Sequence, residues 1–250
     1  MSEHHFQLDD YLKRLRLPAI RAQLDIYLRE ANEQQMTYQS FLYHLLQLEV
    51  AEREVKKKEL ARKKAQFPVE KTLSNFYFER APHVPKRRIL DIAEGNYIYD
   101  KRNVIMIGNS GTGKTHLMIG LAQIAIEKGY TVKYFTAARL ANEIMEAQDE
   151  KRLLQLEKMW LAADLVLIDE LGYIPYHKRA AELMFQFFST RYERGSMIIT
   201  SNREFSEWNE VFHDDQMTAA LLDRLTHKAH IIDMNGDSYR LKETFESQSI

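Results

Sequence analysis

The strongest signal in this chain is Gly108-Asn109-Ser110-Gly111-Thr112-Gly113-Lys114-Thr115, followed by His116. It matches the phosphate-binding loop pattern of Gly, any four residues, and Gly-Lys-Ser/Thr. Glycines let backbone N–H groups turn inward around phosphates, and the helix that begins there adds its positive N-terminal end. Lys114 can reach the β- and γ-phosphates of a nucleotide, and the Thr115 hydroxyl can ligate Mg²⁺. We therefore expect residues 108–116 to form a nucleotide-binding loop.

Predicted strands and helices alternate on both sides of this loop, as its place between a strand and a helix requires. An apolar run, Val104–Ile107, precedes it, and a helix is predicted after it at residues 116–128. Short β-rich runs and helical stretches keep alternating to the end of the chain. This alternation predicts an α/β fold with a five-stranded parallel sheet between helices. The further predicted strands are 131–135, 165–168, 197–200 and His230–Asp233.

Two acidic residues, Asp169 and Glu170, follow the apolar run at residues 165–168. We expect Asp169 to hold Mg²⁺ and Glu170 to take a proton from an attacking water. Paired acids at a strand end are also a common start of an ordinary loop, so this assignment depends on the phosphate loop. A kinase for a small molecule needs no carboxylate aimed at water, so Glu170 favours hydrolysis.

Three further polar side chains are candidates for contact with the nucleotide. Asn202 lies just after the run at 197–200, where it could touch the γ-phosphate and the water. Asn is, however, also common in strand-end turns. Arg224, on a predicted helix, would neutralise transition-state charge on a neighbouring subunit's nucleotide, although a surface arginine is usually solvated or paired. Arg240 stands just beyond the last strand and could reach the γ-phosphate of its own subunit.

The first part of the chain is predicted to be helical. Apolar residues at helical spacing mark one helix, Pro18 can open a second, and Thr37 can cap a long third. Three of the five prolines fall between Pro68 and Pro85 and indicate a linker. We therefore predict a helical N-terminal domain at 1–67, a linker and nucleotide-cleft segment at 68–102, and an ATPase domain at 103–250.

The charge of the chain is distributed unevenly. The 250 residues carry 35 Lys/Arg and 36 Asp/Glu, and the net charge of −1 by itself argues against nucleic-acid binding. Residues 1–102, however, hold 19 basic and 15 acidic residues, a net +4, and the remainder holds 16 and 21, a net −5. The net charge of the whole chain therefore conceals a difference between a basic N-terminal part, predicted to begin with helices, and an acidic remainder.

Composition also excludes several classes of protein. The absence of cysteine excludes disulfides, thiolate metal sites and cysteine nucleophiles. No run approaches the roughly 20 apolar residues that a membrane span needs, and the N-terminus has no signal-peptide pattern. A cytoplasmic location without membrane contact is therefore expected.

Taken together, the loop, the two acids, Asn202, Arg224 and Arg240 resemble the AAA+ ATPases. Further motifs resemble the IstB-like proteins, the ATP-binding helpers of insertion-sequence transposases, which are similar to DnaC helicase loaders. The resemblance covers nearly the whole chain, including residues 37–78. The motifs are Gly113-Lys114-Thr115-His116-Leu117, Asp169-Glu170-Leu171-Gly172-Tyr173, Arg191-Tyr192-Glu193-Arg194-Gly195-Ser196, Thr200-Ser201-Asn202, Phe205-Ser206-Glu207-Trp208, Asp223-Arg224-Leu225 and Asp237-Ser238-Tyr239-Arg240.

The resemblance implies an activity and several partners. ATP and Mg²⁺ would sit between the subunits of an ATP-dependent homo-oligomer, with Arg224 acting on the neighbour's nucleotide. The family binds duplex DNA without strong sequence preference and delivers or activates a transposase. Many AAA+ proteins carry a helical lid after the last strand. Since 250 − 233 leaves 17 residues after Asp233, no C-terminal lid domain is expected.

Two basic stretches are candidates for contact with DNA phosphates, which would give salt-sensitive binding without base recognition. One is the end of the long third helix. The other is the insert at 137–160, predicted as two helices, which faces DNA in the initiator and loader branch of the superfamily. Interspersed acids leave an ordinary solvated face as the alternative for both. The candidates are Lys56, Lys57, Lys58, Arg62, Lys63, Arg139, Lys151 and Arg152.

Three other functions remain open at the level of sequence. A DnaC-like loader of a replicative helicase would use the same ATPase core. A P-loop kinase for a small metabolite would be a lidded monomer independent of DNA. A nucleotide-dependent scaffold would hydrolyse little ATP.

Overall fold

The computed structural model describes residues 3–239. Contacts between residues divide the chain after Leu60 into two compact units. The domain limits at residues 67 and 102 stay a prediction.

The first unit consists of α1 (Glu3–Arg14), α2 (Pro18–Glu33) and most of α3 (Tyr38–Ala65). The predicted helix starts are confirmed: Pro18 is the first residue of α2, and the Thr37 hydroxyl accepts a hydrogen bond from the Ser40 N–H at 3.2 Å. A small apolar cluster joins the three helices. Its buried members are Leu12, Ile20, Leu24 and Leu45.

A buried glutamate on α3 supplies the cap that α2 lacks locally. Glu49 Oε2 accepts the N–H groups of Ala19 at 2.9 Å and Ile20 at 3.3 Å, and Oε1 accepts Arg53 Nε at 2.9 Å. Burial acts to raise the pKa of Glu49, but these hydrogen bonds and the charge of Arg53 outweigh burial and lower it. The carboxylate therefore stays charged at the positive end of α2.

The second unit is built around a single sheet. All its strand pairs are parallel, and the strand order is β2-β3-β4-β1-β5, which confirms the predicted α/β fold. The elements are α4 (Lys86–Ala93), α5 (Asn96–Tyr99), β1 (Val104–Ile107), α6 (Lys114–Glu127), β2 (Val132–Thr136), α7 (Ala137–Asp149), α8 (Leu153–Leu161), β3 (Leu165–Leu171), α9 (Lys178–Arg191), β4 (Ser196–Ser201), α10 (Trp208–Phe212), α11 (Asp215–Thr226) and β5 (His230–Asp233).

Helices cover both faces of the sheet. Alternate residues of each central strand point into opposite clusters: Ile105 packs with α7, α9 and α11, whereas Val104 and Met106 pack with α4, α5 and α6. A strand that is buried on both faces consists of consecutive apolar residues. Such runs are the pattern from which these strands were predicted. The two helices predicted at 137–160 are confirmed as α7 and α8.

Strand ends differ from the predicted ones where neighbouring strands decide the pairing. β3 continues three residues past the predicted end at residue 168, through an irregularity between Ile168 and Leu171. β2 begins and ends one residue later than predicted, and β4 is one residue longer at each end. Within residues 3–239, no helix is both long and apolar enough to cross a membrane.

Candidate nucleotide site

The glycines of the phosphate loop are required by backbone conformation and by space. Gly113, the N-cap of α6, has φ +97°, in the left-handed region that favours glycine. A Cβ at Gly113 would lie 2.7 Å from the Phe76 ring, so a side chain would displace that ring. At Gly111, φ is +81° and a Cβ would lie 2.2 Å from Ser238 Oγ. The chain after β5 and the segment before α4 thus both pack directly on this loop.

Lys114 is held at the start of α6 by the loop itself. Its Nζ donates hydrogen bonds to the carbonyl oxygens of Gly108 at 2.5 Å and Asn109 at 2.6 Å. The Asn109 N–H donates to Asn235 Oδ1 at 3.2 Å. In this arrangement Gly108 and Asn109 orient the lysine, and neither lines the adjoining cavity.

That cavity has a volume of about 540 Å³, within the range of small-molecule sites. It lies at the carboxyl ends of β1, β3 and β4, where open parallel sheets bind ligands. β4, which Asn202 follows, lies between the strand of the loop and the strand of the acids. The cavity is lined by these predicted site residues: Ser110, Gly111, Thr112, Gly113, Lys114, Thr115, His116, Asp169, Glu170 and Asn202.

Asp169 is 3% exposed and receives hydroxyl hydrogen bonds from three separate elements. Thr115 Oγ1, on α6, lies 3.0 Å from both carboxylate oxygens. Thr200 Oγ1, on β4, donates to Oδ1 at 2.5 Å, and Tyr134 OH, on β2, donates to Oδ2 at 3.0 Å. Burial raises the pKa of Tyr134, with a further contribution from the negative charge of Asp169, so the phenol remains a donor.

Thr115 and Asp169 together could hold Mg²⁺. Mg²⁺ prefers hard oxygen ligands and is usually bound through one or two carboxylates together with substrate phosphates. Within residues 3–239, no cluster of three or more His, Asp or Glu side chains forms an all-protein metal site. The hydroxyl and carboxylate oxygens beside the phosphate loop therefore fit a metal that arrives with a nucleotide.

Glu170 has an unusual backbone that directs its exposed side chain into the cavity. Its φ is +60°, a left-handed conformation that costs a non-glycine residue roughly 1–3 kcal/mol. The Glu170 N–H donates to Thr200 Oγ1 at 2.9 Å, and its carbonyl oxygen accepts the Tyr173 N–H at 3.3 Å. Strain of this kind is concentrated at functional sites, because surrounding contacts must hold it in place.

The opposite wall of the cavity comes from the segment at 68–102, which was predicted as a linker and nucleotide-cleft segment without any of its residues being named as site residues. It contains the aromatic run Phe76-Tyr77-Phe78, whose composition fits core packing and contact with adenine equally well. Phe76 does pack, edge-on against Phe78 at 4.8 Å and His116 at 5.3 Å, and it also lines the cavity. The lining residues from this segment are Val69, Glu70, Lys71, Asn75, Phe76, Tyr77 and Ala81.

His116 connects this wall to the phosphate loop. Its Nε2 donates to the Thr72 carbonyl oxygen at 2.9 Å. Burial lowers the pKa of His116, Lys71 lowers it further, and the hydrogen bond to Thr72 opposes both without reversing the direction. A neutral imidazole is therefore favoured beside the loop.

Of the two predicted arginines, the structure describes Arg224, which is not among the residues that line the cavity. Arg224 lies on α11, where one guanidinium nitrogen donates to the Ala220 carbonyl at 2.8 Å and the group stacks 5.1 Å from the Phe185 ring. Arg240 lies outside the described residues. Tyr239, beside it, lines the cavity and donates its N–H to the Gly111 carbonyl at 2.9 Å.

Several candidate DNA contacts carry acidic partners. Lys56 pairs with Glu52 at 3.0 Å, and Arg139 pairs with Glu143 at 2.8 Å. Arg62 pairs with Glu127, and Arg152 pairs with Glu150. Exposed pairs of this kind contribute little to stability and can be exchanged for phosphate contacts. Of the remaining candidates, Lys58 is half-buried, whereas Lys57, Lys63 and Lys151 are exposed.

Solved structures share the fold. DnaA from Aquifex aeolicus, bound to AMPPCP, has a TM-score of 0.57 and 23% identity, and the match covers 73% of this chain and 55% of that one. DnaI has a TM-score of 0.55 and 14% identity, with 69% and 93% covered. At these identities the likeness is one of fold alone.

Sequence relatives identify the family of this chain, whereas the solved structures show only its fold. A Geobacillus stearothermophilus protein named as an ATP-binding protein of insertion sequence IS5376 is 33% identical, over 95% of this chain and 94% of its own. A Pseudomonas aeruginosa protein named for insertion sequence IS21 is 34% identical, over 95% and 89%. The family model "IstB-like ATP binding protein" matches residues 10–247. With the phosphate loop and acids in one cavity, these matches show that the chain belongs to the IstB-like ATP-binding protein family.

Proposed function

We propose that this protein is an ATPase that assembles on duplex DNA and recruits or activates the transposase of an insertion sequence. One observation carries the ATPase part: the phosphate loop, Asp169 and Glu170 face a single cavity. Binding alone would require the loop but would not require an exposed carboxylate held in a left-handed turn beside it.

Hydrolysis divides the chemistry among residues from different elements. Lys114 binds the β- and γ-phosphates, and the backbone N–H groups of the loop surround them. Mg²⁺, held by Thr115 and Asp169, would neutralise developing charge on the phosphate oxygens. Glu170 accepts the proton of the attacking water, and Asn202 orients that water against the γ-phosphate.

The position of Arg224 supports an active site shared between subunits. Its guanidinium is half-buried and stacked on Phe185, outside the cavity of its own subunit. An arginine supplied by a neighbour stabilises transition-state charge without interfering with nucleotide entry. ATP binding would then join subunits, and hydrolysis would release them.

Assembly explains how a chain with a net charge of −1 can hold DNA. Each subunit offers few uncompensated cations, so its phosphate contacts are individually weak. Linked subunits add their contacts through raised effective concentration. We place these contacts on the exposed lysines of α3 and on the turn between α7 and α8, which carries Lys151.

A helicase loader of the DnaC type is the second candidate, because such a protein would use the same phosphate loop and acids around one cavity. The sequence relatives described above favour the transposition role, since their names refer to insertion sequences. One experiment separates the two candidate functions. It compares ATP turnover of this protein in the presence of the transposase of its insertion sequence and in the presence of a replicative helicase. A response to the helicase alone would contradict the transposition role.

Arg224→Ala should bind ATP normally and lose DNA-stimulated hydrolysis, because the missing guanidinium acts on another subunit's nucleotide. Mixing it with Glu170→Gln should restore part of the turnover, since mixed interfaces combine an intact arginine with an intact base. The measurement is phosphate release with duplex DNA, accompanied by particle size from light scattering. Arg179→Ala, an exposed arginine on α9, is the control and should keep full turnover. If the mixture stays as inactive as its components, Arg224 does not act across an interface.

A further inference from the structure

We infer that Tyr134 is a positioning residue that fixes the carboxylate of Asp169 for binding of the metal–nucleotide complex. This inference rests on the proposed function and extends it to a residue that lies outside the cavity. Tyr134 is 6% exposed, on β2, and is not among the cavity-lining residues. It can therefore influence a bound nucleotide only through the groups that it contacts.

The two carboxylate oxygens of Asp169 are held from opposite sides. β3 lies between β2 and β4 in the sheet, so each neighbouring strand can present a hydroxyl to it. Thr200 donates to Oδ1 at 2.5 Å and Tyr134 donates to Oδ2 at 3.0 Å. Rotation of the carboxylate would break both hydrogen bonds, so the pair determines which way its lone pairs face.

Thr115 cannot supply this orientation alone. Its hydroxyl lies at the same distance, 3.0 Å, from both oxygens, and it is itself a candidate metal ligand. A hydroxyl shared equally between two oxygens does not distinguish one carboxylate orientation from another. Without Tyr134, the shared Thr115 hydroxyl would be the one hydrogen bond left to Oδ2 from the residues that the structure describes.

The ring of Tyr134 is well placed to hold its hydroxyl still. Phe67 packs edge-on against it, with centroids 6.5 Å apart. Although β2 is the edge strand of the sheet, the Tyr134 ring is buried and packed, so its hydroxyl has little freedom to move away from Asp169. Groups that orient a metal ligand without touching the metal commonly change metal affinity or activity 10–100-fold when they are removed.

The test is Tyr134→Phe, which removes the hydroxyl and keeps the packed ring. We measure the affinity for a fluorescent ATP analogue in EDTA and over a Mg²⁺ titration. The expected result is unchanged affinity in EDTA and a Mg²⁺ requirement raised roughly tenfold. Phosphate release should show the same increase in Mg²⁺ requirement.

Tyr97→Phe is the matched control. Tyr97 is 3% exposed, and within the described part of the chain its hydroxyl has no hydrogen-bond partner. This variant should keep the Mg²⁺ dependence of the unaltered protein. Equal Mg²⁺ dependence in Tyr134→Phe and the unaltered protein would overturn the assignment. So would a loss of affinity in EDTA accompanied by a much lower melting temperature, which would indicate a purely structural role.

The titration also separates this inference from the function on which it rests. If Mg²⁺ does not strengthen nucleotide binding in the unaltered protein, the proposed site fails, and the role of Tyr134 fails with it. If Mg²⁺ strengthens binding in the unaltered protein and equally in Tyr134→Phe, only the role of Tyr134 fails.

Discussion

Lys114→Ala should reduce ATP affinity by roughly 100-fold or more, because it removes the cavity-lining lysine that the phosphate-loop pattern assigns to the β- and γ-phosphates. Charge-assisted hydrogen bonds contribute about 1.5–3 kcal/mol each, and the upper value corresponds to a factor above 100. Isothermal titration calorimetry with ATP and Mg²⁺ measures the loss. Assembly on duplex DNA should disappear with it, since the proposed assembly depends on bound ATP.

The control for this variant changes the lysine at the opposite end of the same helix, at its C-cap. Lys128 follows the last turn of α6, and its Nζ donates to the Glu94 carbonyl at 2.8 Å, away from the cavity. Lys128→Ala should bind ATP as the unaltered protein does. Because Lys114 also holds the Gly108 and Asn109 carbonyls, melting temperatures of both variants should be compared. Normal ATP affinity in Lys114→Ala would remove the phosphate-loop assignment.

Glu170→Gln should bind ATP and hydrolyse it roughly 100- to 10,000-fold more slowly, the range typical for loss of a general base. The amide has nearly the same shape as the carboxylate, but it cannot accept the proton of the attacking water. The left-handed turn should survive, because Thr200 contacts the Glu170 N–H and not its side chain. With ATP retained, the variant should also dissociate more slowly from duplex DNA.

Single-turnover phosphate release measures the chemical step, and fluorescence anisotropy of labelled DNA measures dissociation. The matched control is Glu182→Gln, at an exposed position on α9 outside the cavity. It should leave both rates unchanged. Unaltered turnover in Glu170→Gln would rule out this residue as the base. Slow turnover with fast release from DNA would separate hydrolysis from disassembly.

Local patterns in the sequence singled out the phosphate loop and the two acids, which the structure brings to one cavity. The phosphate loop is a set of consecutive residues, and its glycines are required by backbone geometry that neighbouring residues impose. Asp169 and Glu170 follow a strand buried on both faces, which a continuous apolar run reveals. In a parallel sheet these strand ends must lie at the same edge, so the loop and the acids could be expected to meet.

The individual residues of the second wall could not be predicted in this way, although residues 68–102 were predicted as a linker and nucleotide-cleft segment. Phe76 and Tyr77 lie in a segment of short turns, Leu73–Asn75 and Phe78–Arg80, where no periodic pattern indicates which side faces a ligand. Their place beside Gly113 and His116 depends on packing against α6. Aromatic residues at such positions satisfy a core and a binding site equally well, so composition could not separate the two.

Local sequence patterns were enough to predict the class of fold, the phosphate loop and the two acidic residues. The hydrogen bonds that orient Asp169 come instead from Thr115, Tyr134 and Thr200, on three separate elements. Those three side chains meet because β3 lies between β2 and β4 and because α6 begins at the loop. Strand order depends on how all the helices pack over the sheet, a property of long-range contacts that no local stretch of sequence contains.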